Sequence, residues 1–145
     1  MNNNINYKNM TLEIVNKIAH IQLNRADEFN TMNLDFWQEF PKIIHYINNE
    51  SAARVIVISS TGKHFCAGMD LSVFTQNKQD ECIELGRKHE QLRRSVLQLQ
   101  ACFNVLESAR MPVLMAVQGG CIGGAVDMIS AADCRYCTSD AFFSI

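Results

Sequence analysis

The chain has 145 residues, of which 48% are hydrophobic and 19% are charged, and its formal net charge at pH 7 is -2. This length and this balance are typical of a single globular domain with a core of its own. A charge so close to zero provides no positive field for nucleic acids or anionic membranes, so we expect neither as a partner.

The N-terminal segment predicts no targeting or membrane sequence. Residues 1–9 are rich in Asn, and they lack both a long apolar run and the Arg-rich character of a transit peptide. No stretch of the chain reaches the ~18 apolar residues needed to span a bilayer. We therefore expect a flexible N-terminus over residues 1–10, one domain over residues 11–145, and a cytoplasmic location.

The predicted elements begin with a β-hairpin. Residues 12–15 and 18–23 are short apolar runs on either side of a two-residue turn, a pattern that predicts antiparallel strands. Asn33 is then a good N-cap for an amphipathic helix. Because Pro41 lies inside this helix, we expect a kink or a broken first turn.

The middle of the chain predicts a buried strand and a long helix. Residues 55–58 are a continuous run of Val and Ile, typical of a strand covered on both faces. From about Asp80 to Glu107 apolar residues recur at alternating steps of four and three, which indicates an amphipathic helix with its stripe against a core. His89 falls in that stripe, where a structural histidine is more frequent than a catalytic one.

The last third of the chain predicts another strand, a short helix and a further strand. Residues 113–117 form a second apolar strand, and a Gly-rich turn over residues 119–124 follows it. A short helix from residue 125 to about 132 and a strand over residues 135–138 come next. Strands that alternate with helices predict βαβ units, hence an α/β fold with a largely parallel sheet.

The cysteines predict neither a disulfide framework nor a metal site. In a chain without an export signal they are usually small buried hydrophobes. Cys134 and Cys137 form a CxxC pair, but no second pair and no nearby histidines complete a zinc site. The six cysteines are Cys66, Cys82, Cys102, Cys121, Cys134 and Cys137.

Two loops that follow the buried strands carry the candidate chemistry. They comprise residues 65–71 and 119–127, and ligands of open α/β sheets collect at such loops. Cys121 stands where a dinucleotide fingerprint needs its second glycine, and no Walker A sequence follows, so a nucleotide cofactor is not expected. The amides at the start of the next helix suit an oxygen that becomes negative during a reaction. Tight packing of strand against helix is the alternative reason for the glycines.

Asp127 lies in the first turn of an otherwise apolar helix. One interpretation is that its carboxylate complements the helix dipole, and on helix-start preferences alone this is the more frequent case. The other is general acid–base catalysis, which burial beside a substrate would favour.

These motifs together resemble those of the enoyl-CoA hydratase/isomerase (crotonase) family. The resemblance covers the chain from about Thr11 and implies a crotonase-type spiral of ββα units, of which this chain would be the N-terminal portion. It also implies assembly as a homotrimer or a dimer of trimers. The residues that carry it are Phe65–Leu71 (FCAGMDL), Pro112–Gly119 (PVLMAVQG) and Gly123–Asp127 (GGAVD).

The resemblance implies roles for individual residues. The backbone amides of Met69 and Gly124 would form an oxyanion hole for a thioester carbonyl. Arg25, or a neighbour in its loop, would lie near the CoA phosphates. No metal is implied, and coenzyme A would be part of the substrate rather than a cofactor. The loop that would line the acyl-CoA site consists of Cys66, Ala67, Gly68, Met69 and Asp70.

An aspartate at position 127, where hydratases usually carry a glutamate, resembles the Δ3,5-Δ2,4-dienoyl-CoA isomerases of the family. Such enzymes shift the double bonds of 3,5-dienoyl-CoA to 2,4-dienoyl-CoA in fatty acid β-oxidation, and Asp127 would be one of two acid–base groups. Ala125 and Gln118 depart from the usual Gly and His. Members of the family are longer, and the second carboxylate is expected beyond Ile145, so little turnover is expected of these residues alone. An enoyl-CoA hydratase and a non-catalytic acyl-CoA-binding fragment remain as alternatives.

Overall fold

A computed structural model describes residues 3–73 and 84–145, with the side chains from residue 5 onward. Strands and helices alternate along most of the chain. In order, the elements are β1 (Asn3–Asn6), β2 (Met10–Val15), β3 (Ile18–Leu23), a 3-10 turn (Ala26–Glu28), α1 (Leu34–Asn49), β4 (Val55–Ser60), α2 (Leu85–Glu107), β5 (Val113–Val117), β6 (Gly120–Ile122), α3 (Gly124–Ser130), β7 (Cys134–Cys137) and β8 (Phe142–Ser144).

The main sheet has six strands in the order β1-β2-β3-β4-β5-β7. The pairs β1–β2 and β2–β3 are antiparallel, whereas β3–β4, β4–β5 and β5–β7 are parallel. Strands β6 and β8 pair in parallel as a separate small sheet. The predicted α/β class is confirmed, with an antiparallel hairpin at one edge of the parallel part.

The N-terminal hairpin is confirmed, and a further strand precedes it. Asn16 and Lys17 have φ of 51° and 67°, which is the geometry of a tight turn between twisted strands. Residues 3–6 form β1 and pair with β2. The prediction of a flexible segment over residues 1–10 missed this strand because asparagine is depleted in strands and hides their pattern.

Helix α1 begins at its predicted cap. The Asn33 Oδ1 atom accepts a hydrogen bond from the Phe36 N–H at 3.0 Å. The helix runs from Leu34 to Asn49 with Pro41 inside it, so no break occurs in its first turn. Phe36 and Phe40 are among the fully buried side chains of the core.

Helix α2 packs against the core only near its C-terminal end. Phe103 and Leu106 are buried, whereas Leu85 and Leu92 are 66% and 61% exposed. The prediction that the whole stripe meets a core is therefore wrong for the first turns, because the described part of the chain places nothing over them. His89 lies in this exposed part. Residues 80–83 of the predicted helix lie outside the described residues.

The parallel strands lie where they are predicted, with small shifts of their ends. Ile56 and Ile58 of β4 are fully buried, but Val55 and Val57 are half-buried, so only one face of this strand is fully covered. Strands β6 and β8 were not predicted. Helix α3 and strand β7 each begin one residue earlier than expected. Among the described helices, none is long and apolar enough to cross a membrane.

The cysteines divide between the core and an exposed strand. Cys66, Cys102 and Cys121 are buried, as predicted. Cys134 and Cys137 are free and exposed on β7, so the expectation that they are buried is wrong for this pair. The position of Cys82 lies outside the described residues.

Candidate active site

The two predicted loops lie side by side because backbone hydrogen bonds join them. The Cys66 N–H donates to the Gly120 carbonyl at 3.2 Å, and the Ile122 N–H donates to the Cys66 carbonyl at 3.0 Å. This pairing continues the order of the parallel strands that precede the loops. It brings the segment that leads to Met69 alongside the segment that leads to Gly124.

Glycine is required at two positions of this contact. Gly68 has φ of +87°, and a Cβ atom there would lie 2.7 Å from the carbonyl oxygen of Ile122. Gly123, which precedes α3, has φ of +56°. Both values lie in the region that side chains disfavour. The sequence therefore allows the two loops to approach more closely than other residues would permit.

Met69 and Gly124 present backbone amides that no acceptor among the described residues satisfies. The carbonyl of Gly68 and the N–H of Asp70 both bond to Met32, at 2.8 and 3.0 Å. In such a parallel bridge the N–H of the residue between them faces away from the paired segment. Gly124 is the first residue of α3, where helical amides lack partners within the helix.

Both of these residues line one cavity of about 480 Å³, together with Asp127. Trp37 and Phe103 form an apolar part of its wall, with ring centroids 5.3 Å apart. Helices α2 and α3 add polar side chains, namely Gln100, Asn104, Glu107 and Ser130. The cavity thus combines two unpaired amides, the carboxylates of Asp127 and Glu107, and an apolar surface.

Asp127 lies in the first turn of α3, as predicted, and its side chain is exposed at the cavity wall. The burial that would favour acid–base work is not provided by the described residues. A bound acyl group would have to supply it. The position of the carboxylate fits both interpretations made from the sequence.

Arg25 does not line this cavity. Its guanidinium contacts the carboxylates of Glu28 and Asp70 and donates to the Thr31 carbonyl at 2.7 Å, and only 16% of its side chain is exposed. These contacts tie the loop around residue 28 to the loop that holds Met69. Contact with CoA phosphates stays a prediction, and the observed partners indicate a structural role.

Asp70 is held as a carboxylate by the same contacts. The Ser72 N–H donates to its Oδ1 at 2.9 Å, and the Thr31 hydroxyl donates to its Oδ2 at 3.1 Å. Hydrogen bonding from Ser72, aided by Thr31 and the charge of Arg25, holds the pKa of Asp70 below its usual value. Its role is thus within the loop rather than at the cavity.

Among residues 66–70, only Met69 lines the cavity. Cys66 is fully buried, and burial raises the pKa of its thiol to about 12, so it is a neutral packing group rather than a nucleophile. Sequence reasoning missed Trp37 and Phe103 as cavity residues. Their only signal was a place on the apolar stripes of α1 and α2, which does not separate core from cavity.

Comparison with known proteins identifies the family. Residues 13–145 match the family model described as enoyl-CoA hydratase/isomerase. The chain belongs to this family. The solved structure of an enoyl-CoA hydratase/isomerase from Marinobacter aquaeolei has a TM-score of 0.84 at 22% identity and covers 94% of this chain and 51% of that one. A crotonase-type structure from Legionella pneumophila gives 0.81 at 24%, covering 95% and 51%. The predicted crotonase-type fold is confirmed.

Two relatives named as isomerases are more similar to this chain in sequence than one named as a hydratase. The chain is 44% identical over 144 residues to a peroxisomal Delta(3,5)-Delta(2,4)-dienoyl-CoA isomerase of Arabidopsis thaliana, covering 93% of this chain and 51% of that one. For the mitochondrial isomerase of Mus musculus the identity is 39%, with 97% and 43% covered. A crotonyl-CoA hydratase of Syntrophomonas wolfei is 28% identical, with 94% and 49% covered. The chain therefore spans about half the length of these relatives. Their names give no support to the predicted cytoplasmic location.

Proposed function

We propose that this chain carries the oxyanion hole and one acid–base group of an acyl-CoA isomerase that converts 3,5-dienoyl-CoA to 2,4-dienoyl-CoA in fatty acid β-oxidation. The supporting observation is that Met69 and Gly124, whose amides lack partners among the described residues, line one cavity with Asp127. The similarity to relatives named dienoyl-CoA isomerases supports the substrate class.

In this proposal the thioester carbonyl oxygen accepts hydrogen bonds from both amides. A carboxylate removes a proton from C2, and the electron pair of that C–H bond moves into the conjugated chain, so that negative charge collects on the carbonyl oxygen. Return of a proton at C6 then places the double bonds at C2 and C4. Each amide is worth about 3 kcal/mol to the enolate, by analogy with single donors of other oxyanion holes.

Asp127 performs one of these two proton transfers. Its position at the cavity wall, in the first turn of α3 and three residues after Gly124, supports this role. A second group is needed for the other transfer. The coenzyme A part of the substrate remains outside the cavity. No metal takes part in this proposal.

The contact between the thioester carbonyl and the two amides can be tested by tryptophan fluorescence. Trp37 is the single tryptophan of the chain and lines the cavity. Its fluorescence should change saturably when a 2,4-dienoyl-CoA is added. The thioether analogue of this 2,4-dienoyl-CoA lacks the carbonyl oxygen. It should bind at least about tenfold more weakly than the thioester because the two amides lose their acceptor. Equal affinity for the thioester and the thioether would remove the basis of the oxyanion hole.

The proton transfer is tested by Asp127→Asn in a form of the protein that isomerises the substrate. The rate, followed by the absorbance of the 2,4-dienoyl product, should fall by about 10²–10⁴-fold, whereas the dissociation constant should change by less than about twofold. Asp35→Asn is the matched control, since Asp35 also lies in the first turn of a helix and is remote in sequence. If both substitutions reduce the rate equally, Asp127 acts only on the helix dipole.

An enoyl-CoA hydratase is the second candidate, because the same amides would stabilise the enolate formed when water adds to an enoyl thioester. The aspartate at 127 and the lower identity to the hydratase of Syntrophomonas wolfei favour the isomerase. Incubation with crotonyl-CoA separates the two: loss of its conjugated absorbance at a rate above that of dienoyl isomerisation would favour the hydratase. Binding of both thioesters without turnover would indicate the third alternative, a non-catalytic acyl-CoA-binding fragment.

We also propose that the protein assembles as a homotrimer or a dimer of trimers, as the family resemblance implies. The apolar residues exposed on β7 and β8 and on the first turns of α2 leave surfaces available for such contacts. Light scattering of the purified chain gives its mass directly, and a monomer at all concentrations would contradict the assembly for these residues.

A further inference from the structure

His64 makes a hydrogen bond to the backbone of the Gly-rich turn. Its Nδ1 atom accepts from the Gly120 N–H at 2.9 Å. Gly120 is buried and is the first residue of β6. On the other side, the carbonyl of His64 accepts from the Nδ2 of the buried Asn30 at 3.2 Å. His64 thus joins the loop after β4 to the strand that leads into the candidate oxyanion hole.

The imidazole has aromatic neighbours where it makes this bond. Its ring centroid is 6.0 Å from that of Phe29 and 6.0 Å from that of Phe142. A Cβ atom on Gly119 would lie 2.9 Å from Nδ1, and one on Gly120 would lie 3.2 Å from it. The two glycines and the ring therefore fit each other, and the ring has little room to turn away.

The direction of the hydrogen bond fixes the state of the ring. A backbone N–H can only donate, so Nδ1 must be the unprotonated nitrogen and Nε2 carries the proton. A doubly protonated imidazolium has no acceptor to offer Gly120. Among the described residues, Lys63, its neighbour in the chain, and Asp140 are charged side chains beside His64.

We propose that neutral His64 is a positioning residue that sets the spacing between the amides of Met69 and Gly124. It fixes the first residue of β6. The last residue of β6, Ile122, has its carbonyl against Gly68, directly before Met69, and Gly124 follows two residues later. A shift of β6 therefore changes one amide relative to the other.

The contribution of the acceptor is tested by two substitutions of His64. Asparagine places its Oδ1 on Cγ, where histidine carries Nδ1, so His64→Asn keeps an acceptor for Gly120. His64→Leu removes it and leaves a buried N–H without a partner. In 15N-labelled protein, hydrogen exchange at the Gly120 amide should become at least about tenfold faster in His64→Leu and change by less than about threefold in His64→Asn.

The effect of His64 on thioester binding rests on the proposed function and is measured separately from amide exchange. The dissociation constant for a 2,4-dienoyl-CoA, read from Trp37 fluorescence, should rise about fivefold to tenfold in His64→Leu and recover in His64→Asn. The control is His45→Leu, because His45 is exposed on α1. A wild-type chain that binds no thioester would defeat the proposed function, while the exchange at Gly120 would still test the hydrogen bond.

The proposal is overturned if His64→Leu leaves both exchange and thioester affinity unchanged, or if His64→Asn is impaired as much as His64→Leu. It is equally overturned if the 15N shifts of the imidazole show the proton on Nδ1 at neutral pH.

Discussion

The two sides of the cavity are built in different ways. The glycine wall, residues 66–70 and 119–124, is held by backbone hydrogen bonds and by glycines that leave no room for side chains. The helical wall, residues 99–107 of α2, is held by side chains that pack on α1. A clash with backbone atoms cannot be relieved by turning a side chain, whereas truncation of a side chain costs stability in proportion to the atoms removed. We therefore expect substitutions in the glycine wall to have the largest effects.

The largest effect is expected for Gly68→Ala. The residue would have to keep φ of +87° and its new methyl would meet the Ile122 carbonyl at 2.7 Å, a backbone atom that cannot turn aside. Strain of about 1–3 kcal/mol and overpacking of about 1–3 kcal/mol together predict a loss of about 4 kcal/mol in the free energy of unfolding. Urea unfolding monitored by circular dichroism measures it.

The matched control for Gly68→Ala is Gly86→Ala. Gly86 lies in the exposed first turn of α2, where a Cβ atom would meet the Glu84 Oε1 at an ordinary contact distance of 3.8 Å, so alanine should stabilise the chain by up to about 1 kcal/mol. If the two alanine substitutions changed the free energy of unfolding by the same amount and in the same direction, the close approach of the two loops would not restrict position 68 to glycine.

In the helical wall, Phe103→Ala should cost about 3 kcal/mol, at the lower end for phenylalanine because the ring borders a cavity. Phe103 is 7% exposed and contacts Trp37 and Phe40. Leu92→Ala on the same helix should cost less than about 0.5 kcal/mol because Leu92 is 61% exposed. Equal losses for the two would mean that the first turns of α2 are covered after all, for example by another copy of the chain.

The smallest effect on the free energy of unfolding is expected for Asp70→Asn, where the glycine wall contacts Arg25. The pKa of Asp70 is lower in the folded chain than in the unfolded one, so its ionisation stabilises the fold above the unfolded value of about 4. This contribution is lost as pH falls through the folded pKa. Asp70→Asn should therefore cost at most about 1 kcal/mol at pH 7 and show a smaller loss of stability on acidification below about pH 4. Asp27→Asn, at an exposed carboxylate of the 3-10 turn, is the control, and an identical pH profile for both variants would contradict the assignment.

Much of the fold follows from local sequence signals. The turn of the hairpin, the Asn33 cap and the apolar strands β4 and β5 each depend on neighbouring residues, and each is where the sequence predicts it. The adjacency of the two loops also follows, because parallel neighbouring strands end at the same edge of a sheet. Met69, Gly124 and Asp127 were for this reason found together.

What the sequence could not predict depends on contacts between distant residues. Strands β6 and β8 are three residues long, and they are strands only because they pair with each other, from Gly120 with Phe142 to Ile122 with Ser144. The partners of Arg25 come from three different parts of its surrounding loops, so its sequence position did not reveal its ion pairs. The apolar stripe of α2 gives the same periodicity where it is buried and where it is exposed, so it cannot show which end meets the core.

The central claim is that the amides of Met69 and Gly124 bind one thioester oxygen. The most direct test is a titration of 15N-labelled protein with a 2,4-dienoyl-CoA and, in parallel, with its thioether analogue. The amide signals of Met69 and Gly124 should move together with one dissociation constant for the thioester, and they should move far less for the thioether at equal occupancy of the cavity. Signals that shift equally for both ligands, or that follow different dissociation constants, would contradict the claim.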